Sequence, residues 1–460
     1  IDKFNLGCRF EKYFIGNNLT ELQEMTSMLN GSVHNYIEYA FDFASAGMYE
    51  EASRIMHIYM EGRTDIYPMA AYMLGYFASR SGNEEVARQW YQKAQSLSPD
   101  KCFPNRINEI NVLTDAMRMN PADYKAPYYL GNFWYAHRRY EEAISCWEKS
   151  VEINNRFPTA LRNLSLAYYN KRNKKEEARQ LLEKAFELDK TDSRIFMELD
   201  QLYKKMGREH AERLALLEEH LELVEQRDDL CIERITLYNL LGNYEKAKDL
   251  ISNRKFHPWE GGEGKVTGQY ILCRVELAKK AIKENRYSEA LALLKETEFY
   301  PHNLGEGKLS NAEENEVDYY KGIAYQKLGN DTESTKYLMK ATQGSTEPQQ
   351  AFYYNDQQPD KIFYQGLAWR ALGEENKARS RFNKLIDHGK KHLFDDCKID
   401  YFAVSLPELA IWEDNLNIRN KIHCYYVMAL GYSGLGQKEL AEKYYSLVKE
   451  LDINKQVFRE

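Results

Sequence analysis

Small residues, glycines and large aromatics recur along this chain in one fixed phase, and that phase predicts its architecture. From Tyr124 to Asn155 the sequence carries Gly131 at position eight, Trp134 at eleven, Tyr140 at seventeen, Ala143 at twenty, Trp147 at twenty-four and Ser150 at twenty-seven. The segment from Pro68 repeats it with Gly75, Gly82, Ala87, Tyr91, Ala94 and Pro99. The segment from Pro158 does so with Ser165, Tyr168, Ala178, Leu182 and Ala185, after one extra residue in its turn. Further copies carry Ala40, Gly47, Tyr49, Ala52 and Met56; Tyr238, Gly242, Tyr244, Ala247 and Ile251; and Ala278, Tyr287, Ala290 and Leu294. Three more carry Gly322, Tyr325, Gly329 and Leu338; Gly366, Trp369, Gly373, Ala378 and Phe382; and Ala429, Tyr432, Gly436, Ala441 and Tyr445, while a degenerate copy surrounds Tyr203 and Gly207. The spacing predicts two antiparallel helices per unit, with small residues where they cross, aromatics filling the gap and Gly ending the first helix in left-handed backbone. The expected fold is all-α, a right-handed superhelical solenoid of about ten helix pairs with inserted rim loops in its C-terminal half.

This phase resembles the tetratricopeptide repeat, whose period is about 34 residues. The copies divide the chain into N-terminal repeats with one unpaired helix (1–123), a regular array (124–254) and an array with long inserted loops (255–460), all in one continuous solenoid. The unpaired helix is the stretch 105–119. Beyond Arg254 the period lengthens: Gly322 and Gly366 stand 44 residues apart, and Ala378 and Ala441 stand 63 apart. Stacking needs only the helices and their turns, so the extra residues are expected to project as loops from one rim, where function concentrates.

Two of these loops echo each other. Phe256-His257-Pro258-Trp259-Glu260-Gly261-Gly262-Glu263-Gly264-Lys265 and Tyr300-Pro301-His302-Asn303-Leu304-Gly305-Glu306-Gly307-Lys308 share Pro-x-x-x-Gly-Glu-Gly-Lys. One reading is a tight turn capping the next helix, with Glu near its positive end and Lys pairing locally. The other is a ligand site, in which flanking glycines let a ligand approach and Trp259, Glu260, His257 and His302 stand beside the glutamates. A third stretch, Tyr353, Tyr354, Asn355 and Asp356, followed by Gln365, combines aromatic faces with amides and a carboxylate, a set that suits sugar hydroxyls and ring C–H faces. Turn formation before Pro359 accounts for Asn355 and Asp356 equally well. The apolar stretch Asp400 to Glu408 reads as a plug between repeats.

Composition narrows the chemistry. Over 460 residues, 63 Lys plus Arg against 70 Asp plus Glu give a net charge of −7, which argues against a nucleic-acid binder. No apolar run approaches the roughly 20 residues of a membrane span. Seven scattered cysteines without a Cys-x-x-Cys pair read as reduced, mostly buried thiols. No phosphate loop or serine elbow is present, nor a Cys/His pair in a recognisable setting, so no catalytic residue, metal or cofactor is expected. His388 and His392 are spaced for a shared metal, but with Gly389 between them they read as a polar loop. Glu263 and Glu306 are the one conceivable acid/base pair, which would need carboxyls roughly 5 to 10 Å apart.

The 35 tyrosines are the outlying count. Tyr49, Tyr91, Tyr140, Tyr168, Tyr244, Tyr287, Tyr325, Tyr432 and Tyr445 fall on repeat-core positions. Positions two, five, nine and twelve of each unit are expected to line a concave face, and they place Tyr72, Tyr76, Tyr128, Asn132, Tyr135, Arg162 and Tyr169, with Tyr319 and Phe363, in a tyrosine-rich groove.

Beyond the repeats, His257 to Gly264, Asn303 to Gly307, Tyr353 to Asp356 and Asp400 to Pro407 make the chain similar to the C-terminal half of a gut-bacterial family. In that family a domain of unknown function, resembling sugar-mutarotase β-sandwiches, precedes a tetratricopeptide array. The resemblance implies a carbohydrate context and a cytoplasmic location, and Ile1 in place of Met leads us to expect an upstream portion. The expected function is a non-enzymatic scaffold docking a protein or peptide, including such a sandwich, in the groove. The alternative is a carbohydrate-binding or glycoside-processing site formed or completed by the rim loops, with Trp259, Glu260, Glu263, Lys265, Glu306, Lys308 and Asp356 contributing.

Overall fold

A computed structural model describes residues 4–259, 261–310, 312–351, 357–398 and 411–457. Among them every regular element is helical, and no helix is long and apolar enough to cross a membrane. The chain forms two compact units, Ile1–Asp189 and Lys190–Glu460.

The first unit contains α1 (Leu6–Gly16), α2 (Leu19–Leu29), α3 (Val33–Ser45), α4 (Tyr49–Met60), α5 (Pro68–Arg80), α6 (Glu84–Ser96), α7 (Asn108–Met119), α8 (Lys125–Ala136), α9 (Tyr140–Ile153), α10 (Pro158–Arg172) and α11 (Lys175–Leu188). Apart from α7 these pack as consecutive antiparallel pairs. The unpaired helix packs on α5 on one side and α8 on the other, so the array absorbs it as a single-helix spacer. Its start is secured by Glu109, whose carboxylate accepts from the Asn105 and Arg106 amides at 2.6 and 2.8 Å.

The second unit contains α12 (Ser193–Lys205), α13 (His210–Glu219), the single turn α14 (Leu221–Val224), α15 (Asp228–Leu240), α16 (Tyr244–Asn253), α17 (Lys265–Lys283), α18 (Tyr287–Lys295), α19 (Asn315–Lys327), α20 (Asp331–Ala341), α21 (Pro359–Ala371), α22 (Glu375–His392), α23 (Leu416–Gly434) and α24 (Lys438–Leu451). Two 3-10 turns, Glu296–Glu298 and His302–Leu304, lie between α18 and α19.

The repeat phase has a direct packing cause. A Cβ on the position-eight glycine would lie 2.5 Å from the Tyr91 ring at Gly75, 2.5 Å from the Trp147 ring at Gly131 and 2.4 Å from the Phe382 ring at Gly366. The large residue at position twenty-four thus rests on bare backbone of the paired helix. Position twenty is closed to side chains in the same way: Ala52, Ala87, Ala143, Ala178, Ala247, Ala290 and Ala378 are fully buried. The turn glycines Gly82, Gly242 and Gly373 hold φ of 84°, 76° and 82°, where L side chains are strained. The core tyrosines divide. Tyr91, Tyr432 and Tyr445 are buried, whereas Tyr49, Tyr140, Tyr244 and Tyr287 begin their second helices and stay half-buried.

The second unit closes on itself. Its last segment returns to its first helix, where the Asn454 side chain donates to the Lys204 carbonyl at 3.0 Å and accepts from Arg213 at 3.1 Å. Trp412 donates to the Glu198 carbonyl at 3.1 Å, and Asp414 pairs with Lys205. Gln456 and Gln269 exchange amide hydrogen bonds of 3.0 Å. The six first helices α12, α15, α17, α19, α21 and α23 therefore line one shared, partly open interior.

Candidate ligand cavity in the second unit

That interior is a cavity of about 780 Å³, a volume typical of small-molecule sites. Three aromatic residues line it: Trp259 from the first echoed loop, Trp412 and Tyr426. Five side-chain amides, from Gln201, Gln269, Gln358, Asn454 and Gln456, share the wall with acidic and basic groups carried by all the inner helices except α23. Gly262 is what lets Trp259 lie down in its loop, since a Cβ there would sit 2.2 Å from the indole.

Two buried ion networks shape the walls. In α12 and α13 the fully buried Arg213 donates to Asp200 at 2.7 and 3.0 Å and to Glu233 at 2.8 Å, and Lys204 reaches Glu233 at 2.8 Å. Burial alone would raise the Glu233 carboxyl, but Lys204 and Arg213 outweigh it and hold it down, to about 2. Across the cavity, Lys361 pairs with Glu316 at 2.6 Å and lies 3.9 Å from Asp360. Burial pushes the Asp360 carboxyl up, against the pull of Lys361.

The first network sits at a helix crossing of the repeat itself. Asp200 stands where most other pairs place Gly, Ser or Ala at position eight, and Arg213, after one extra residue in the turn, where they place Ala or Ser at position twenty. A charged pair stands in place of the small pair at this helix crossing, which is why the copy around Tyr203 looks degenerate. An Arg at an alanine position was the available sequence signal, and repeat matching discards it as noise.

One of the two echoed glutamates caps a helix, and it is the helix after the other loop. Glu306 accepts from the Gly264 amide at 3.1 Å and from the Thr267 hydroxyl at 3.3 Å, so the glutamate of the second loop caps α17, the helix that follows the first. Asn303 donates to the Ile251 and Arg254 carbonyls at 2.9 and 2.8 Å, and Gly305 fits because its missing Cβ would lie 2.8 Å from the Phe256 carbonyl oxygen. Glu263 is brought to the same turn but stays exposed. Since the Glu306 carboxylate is committed to the helix end, the structure does not present it as half of an acid/base pair. Replacing Glu306 by Ala is expected to lower stability by about 1 kcal/mol, whereas Glu263→Ala is expected to be near neutral. Urea unfolding of the two variants side by side checks this, and equal midpoints would refute the capping role.

The remaining sequence candidates separate. Trp259 and Lys265 line the cavity. His257 binds Asp228 through both its amide and its ring, at 2.9 and 3.0 Å, and His302 is exposed. Lys308 is tied down by the Thr297 carbonyl at 2.9 Å and by Glu314 at 2.5 Å, so it is a structural strut and not an open binding group. Gln365 corrects the same way: it is fully buried, donating to the Gln343 and Ser345 carbonyls at 2.9 Å and accepting from Arg381 at 3.1 Å. Glu260, Tyr353, Tyr354, Asn355, Asp356 and the Asp400 to Glu408 stretch lie outside the described residues.

The groove set also needs correction. Tyr72 is fully buried, its hydroxyl donating to Asp123 at 2.9 Å, and Tyr128 is buried against Phe157, so both are core residues. Asn132 spends its carbonyl oxygen on Trp147 at 3.1 Å and Asn163 at 3.0 Å. Tyr76, Tyr135, Arg162 and Tyr169 are half-buried on α5, α8 and α10. Inward-facing positions of a helix pair are shared between open surface and inter-repeat packing, and spacing alone does not divide them.

His388 and His392 lie on α22 and not in a loop, because Gly389 packs that helix against α23, where a Cβ would meet the Cys424 carbonyl at 2.7 Å. Burial holds His388 down to about 4 and the neighbouring His423 to about 3, which makes both neutral core imidazoles. Among the described residues no group of His, Cys, Asp or Glu is placed to hold a metal ion. The cysteines are free, and five of the seven are buried.

Comparison with known proteins agrees with the helix-pair architecture. Tetratricopeptide-repeat models match residues 70–101 and 159–188, so the chain carries tetratricopeptide repeats at α5/α6 and α10/α11. Similar solved structures include MamA from Desulfovibrio magneticus RS-1, at 19% identity over 42% of this chain and 95% of that one, with a TM-score of 0.25. The pilF protein of Pseudomonas aeruginosa matches at 17% identity over 47% of this chain and 87% of its own, with a TM-score of 0.28. YrrB, described as a protein of this repeat class with an unusual peptide-binding site, matches at 17% identity over 50% and 89%, with a TM-score of 0.22.

Proposed function

We propose that the chain is a non-enzymatic binding protein built on tetratricopeptide repeats, and that its second unit takes a small carbohydrate-class ligand in this cavity. The observation that carries this reading is one space of about 780 Å³ lined by Trp259, Trp412 and Tyr426 and by the amides of Gln201 and Gln358, with the amides of Gln269, Gln456 and Asn454 bonded within its wall. Aromatic faces stack on sugar C–H surfaces, and amides donate and accept at adjacent hydroxyls. The bacterial, cytoplasmic and carbohydrate context that goes with it rests on the motif resemblance. A glycan array probed with the wild-type chain and with Trp259→Ala is the test. Binding by the wild type that falls at least about tenfold in the variant is expected; an array on which the wild type binds nothing would sink the proposal.

A second reading, docking of a protein or peptide on the first unit, is favoured by Tyr76, Tyr135, Arg162 and Tyr169, which keep part of their surface open on three successive first helices. An upstream β-sandwich of the kind implied by the resemblance is its first candidate partner. Co-purification of such a domain, expressed separately, with this chain at micromolar concentration tests it, and failure to form a complex counts against that partner.

A further inference from the structure

Seven carboxylates line the cavity, and the protein meets six of them with hydrogen bonds from other residues. Arg213 and Lys204 serve Asp200 and Glu233, and Lys361 donates to both oxygens of Glu316 at 2.6 Å. Lys205 serves Asp414, Arg227 serves Asp229 at 2.7 Å, and Asp452 accepts from the amide and the side chain of Asn454 at 2.9 and 3.2 Å. Asp360 is the seventh. It is only 5% exposed, and among the described residues no other residue donates a hydrogen bond to its carboxylate. Its nearest cation, Lys361, lies 3.9 Å away and is committed to Glu316. Lys455 acts on Asp360 only through space and shares that action with Asp452. The same ammonium group stands 5.2 Å from the centre of the Tyr426 ring, which brings the aromatic face and the carboxylate beside one another in the wall.

Asp360 stands in the first turn of α21, where the positive helix end favours an acidic side chain. That alone does not account for burying it in a cavity wall with its own backbone amide as the one donor in reach. An ionised carboxylate offers two acceptor oxygens, and leaving them unmet away from bulk water is costly. We infer that Asp360 is the side chain that grips the ligand, its two oxygens accepting from two adjacent hydroxyl groups of a neutral sugar whose ring face lies on Tyr426. This rests on the carbohydrate reading and narrows it to neutral sugars with a free vicinal diol. Hydroxyl donors suit the place better than a cationic ligand, because Lys361 and Lys455 already flank the carboxylate. Hydrogen bonds to an ionised acceptor are roughly twice as strong as neutral ones, so this contact decides which sugar hydroxyls the cavity selects.

Calorimetric titration of the full chain with the methyl glycosides of glucose, galactose and mannose, each beside its singly deoxygenated forms, tests the inference. For the tightest-binding parent, loss of either of two adjacent hydroxyls is expected to weaken binding about tenfold or more. Asp360→Asn is expected to weaken the parent by a similar factor, and in that variant the same deoxygenations are expected to matter little, since the contact they remove is already gone. A wild type that tolerates every deoxygenation would overturn the inference and leave the carbohydrate reading standing. So would a folded Asp360→Asn variant that binds the parent as tightly as the wild type, or one that is less stable but keeps its affinity, which is the result a purely structural role at the helix start would give. Binding of none of these glycosides at millimolar concentration also overturns it; an empty glycan array then removes the carbohydrate reading as well, whereas glycans bound on the array keep that reading alone. Should Asp360→Asn fail to fold, the wild-type deoxygenation series decides by itself.

Discussion

Replacing Arg213 by Ala is expected to destabilise the second unit by about 3–5 kcal/mol, because it leaves buried carboxylates without their counter-charge. The guanidinium is fully buried and donates to the side chains of Asp200 at 2.7 and 3.0 Å, Glu233 at 2.8 Å and Asn454 at 3.1 Å. Removing it orphans Asp200, which has no other cation in hydrogen-bond reach among the described residues, and weakens the hold on Asn454, through which the C-terminal segment returns to α12. Lys is not an adequate replacement, since a point charge cannot reproduce the two-pronged contact with Asp200. The informative companion is the double variant Asp200→Gly with Arg213→Ala, which installs the Gly and Ala found at this crossing in the Gly75/Ala87, Gly131/Ala143 and Gly366/Ala378 pairs. It leaves no uncompensated charge, because Glu233 keeps Lys204 at 2.8 Å. It is therefore expected to be less destabilised than Arg213→Ala alone. Urea unfolding monitored by circular dichroism measures both, and a double variant less stable than the single one would refute the account of this ion pair as a substitute for small residues.

Phe382→Ala is expected to cost about 3–5 kcal/mol for a different reason, the cavity it leaves. The ring is fully buried, and it rests on glycine on two sides: an added Cβ would come within 2.4 Å of it at Gly366 and within 2.2 Å at Gly434. Those glycines have no side chain with which to fill the space, so the site relaxes little and the loss falls at the upper end for an aromatic deletion. Differential scanning calorimetry gives the change directly. A loss under about 1 kcal/mol would mean that α21 and α23 close over the gap.

Much of the fold is legible in the sequence because the constraint is local and repeated. Gly75, Gly131, Gly322 and Gly366 at position eight, each followed sixteen residues later by Tyr91, Trp147, Leu338 and Phe382, report a contact within one helix pair. Such a contact recurs every time the pair recurs, so ten imperfect copies reinforce one another. The echoed loops are partly legible too. Their shared Gly-Glu-Gly-Lys predicts a turn and a helix end, yet the glutamate that caps α17 comes from 42 residues downstream, a pairing that motif spacing cannot assign.

The sequence by itself determined the all-helical repeat, the small and large positions within each pair, the place where the loops begin, and the absence of familiar catalytic motifs. Only the tertiary structure decided that Trp259 and Lys265 meet Trp412, Tyr426 and Lys455 around one cavity, that Tyr72, Tyr128 and Gln365 are core, and that Asp200 and Arg213 form a buried pair. The physical reason is range. Helix-pair packing depends on residues within about one repeat and leaves a periodic trace. Closure of the second unit depends on single hydrogen bonds between segments more than 180 residues apart, such as Gln269 with Gln456 and Trp412 with Glu198, which happen once and leave no period to read.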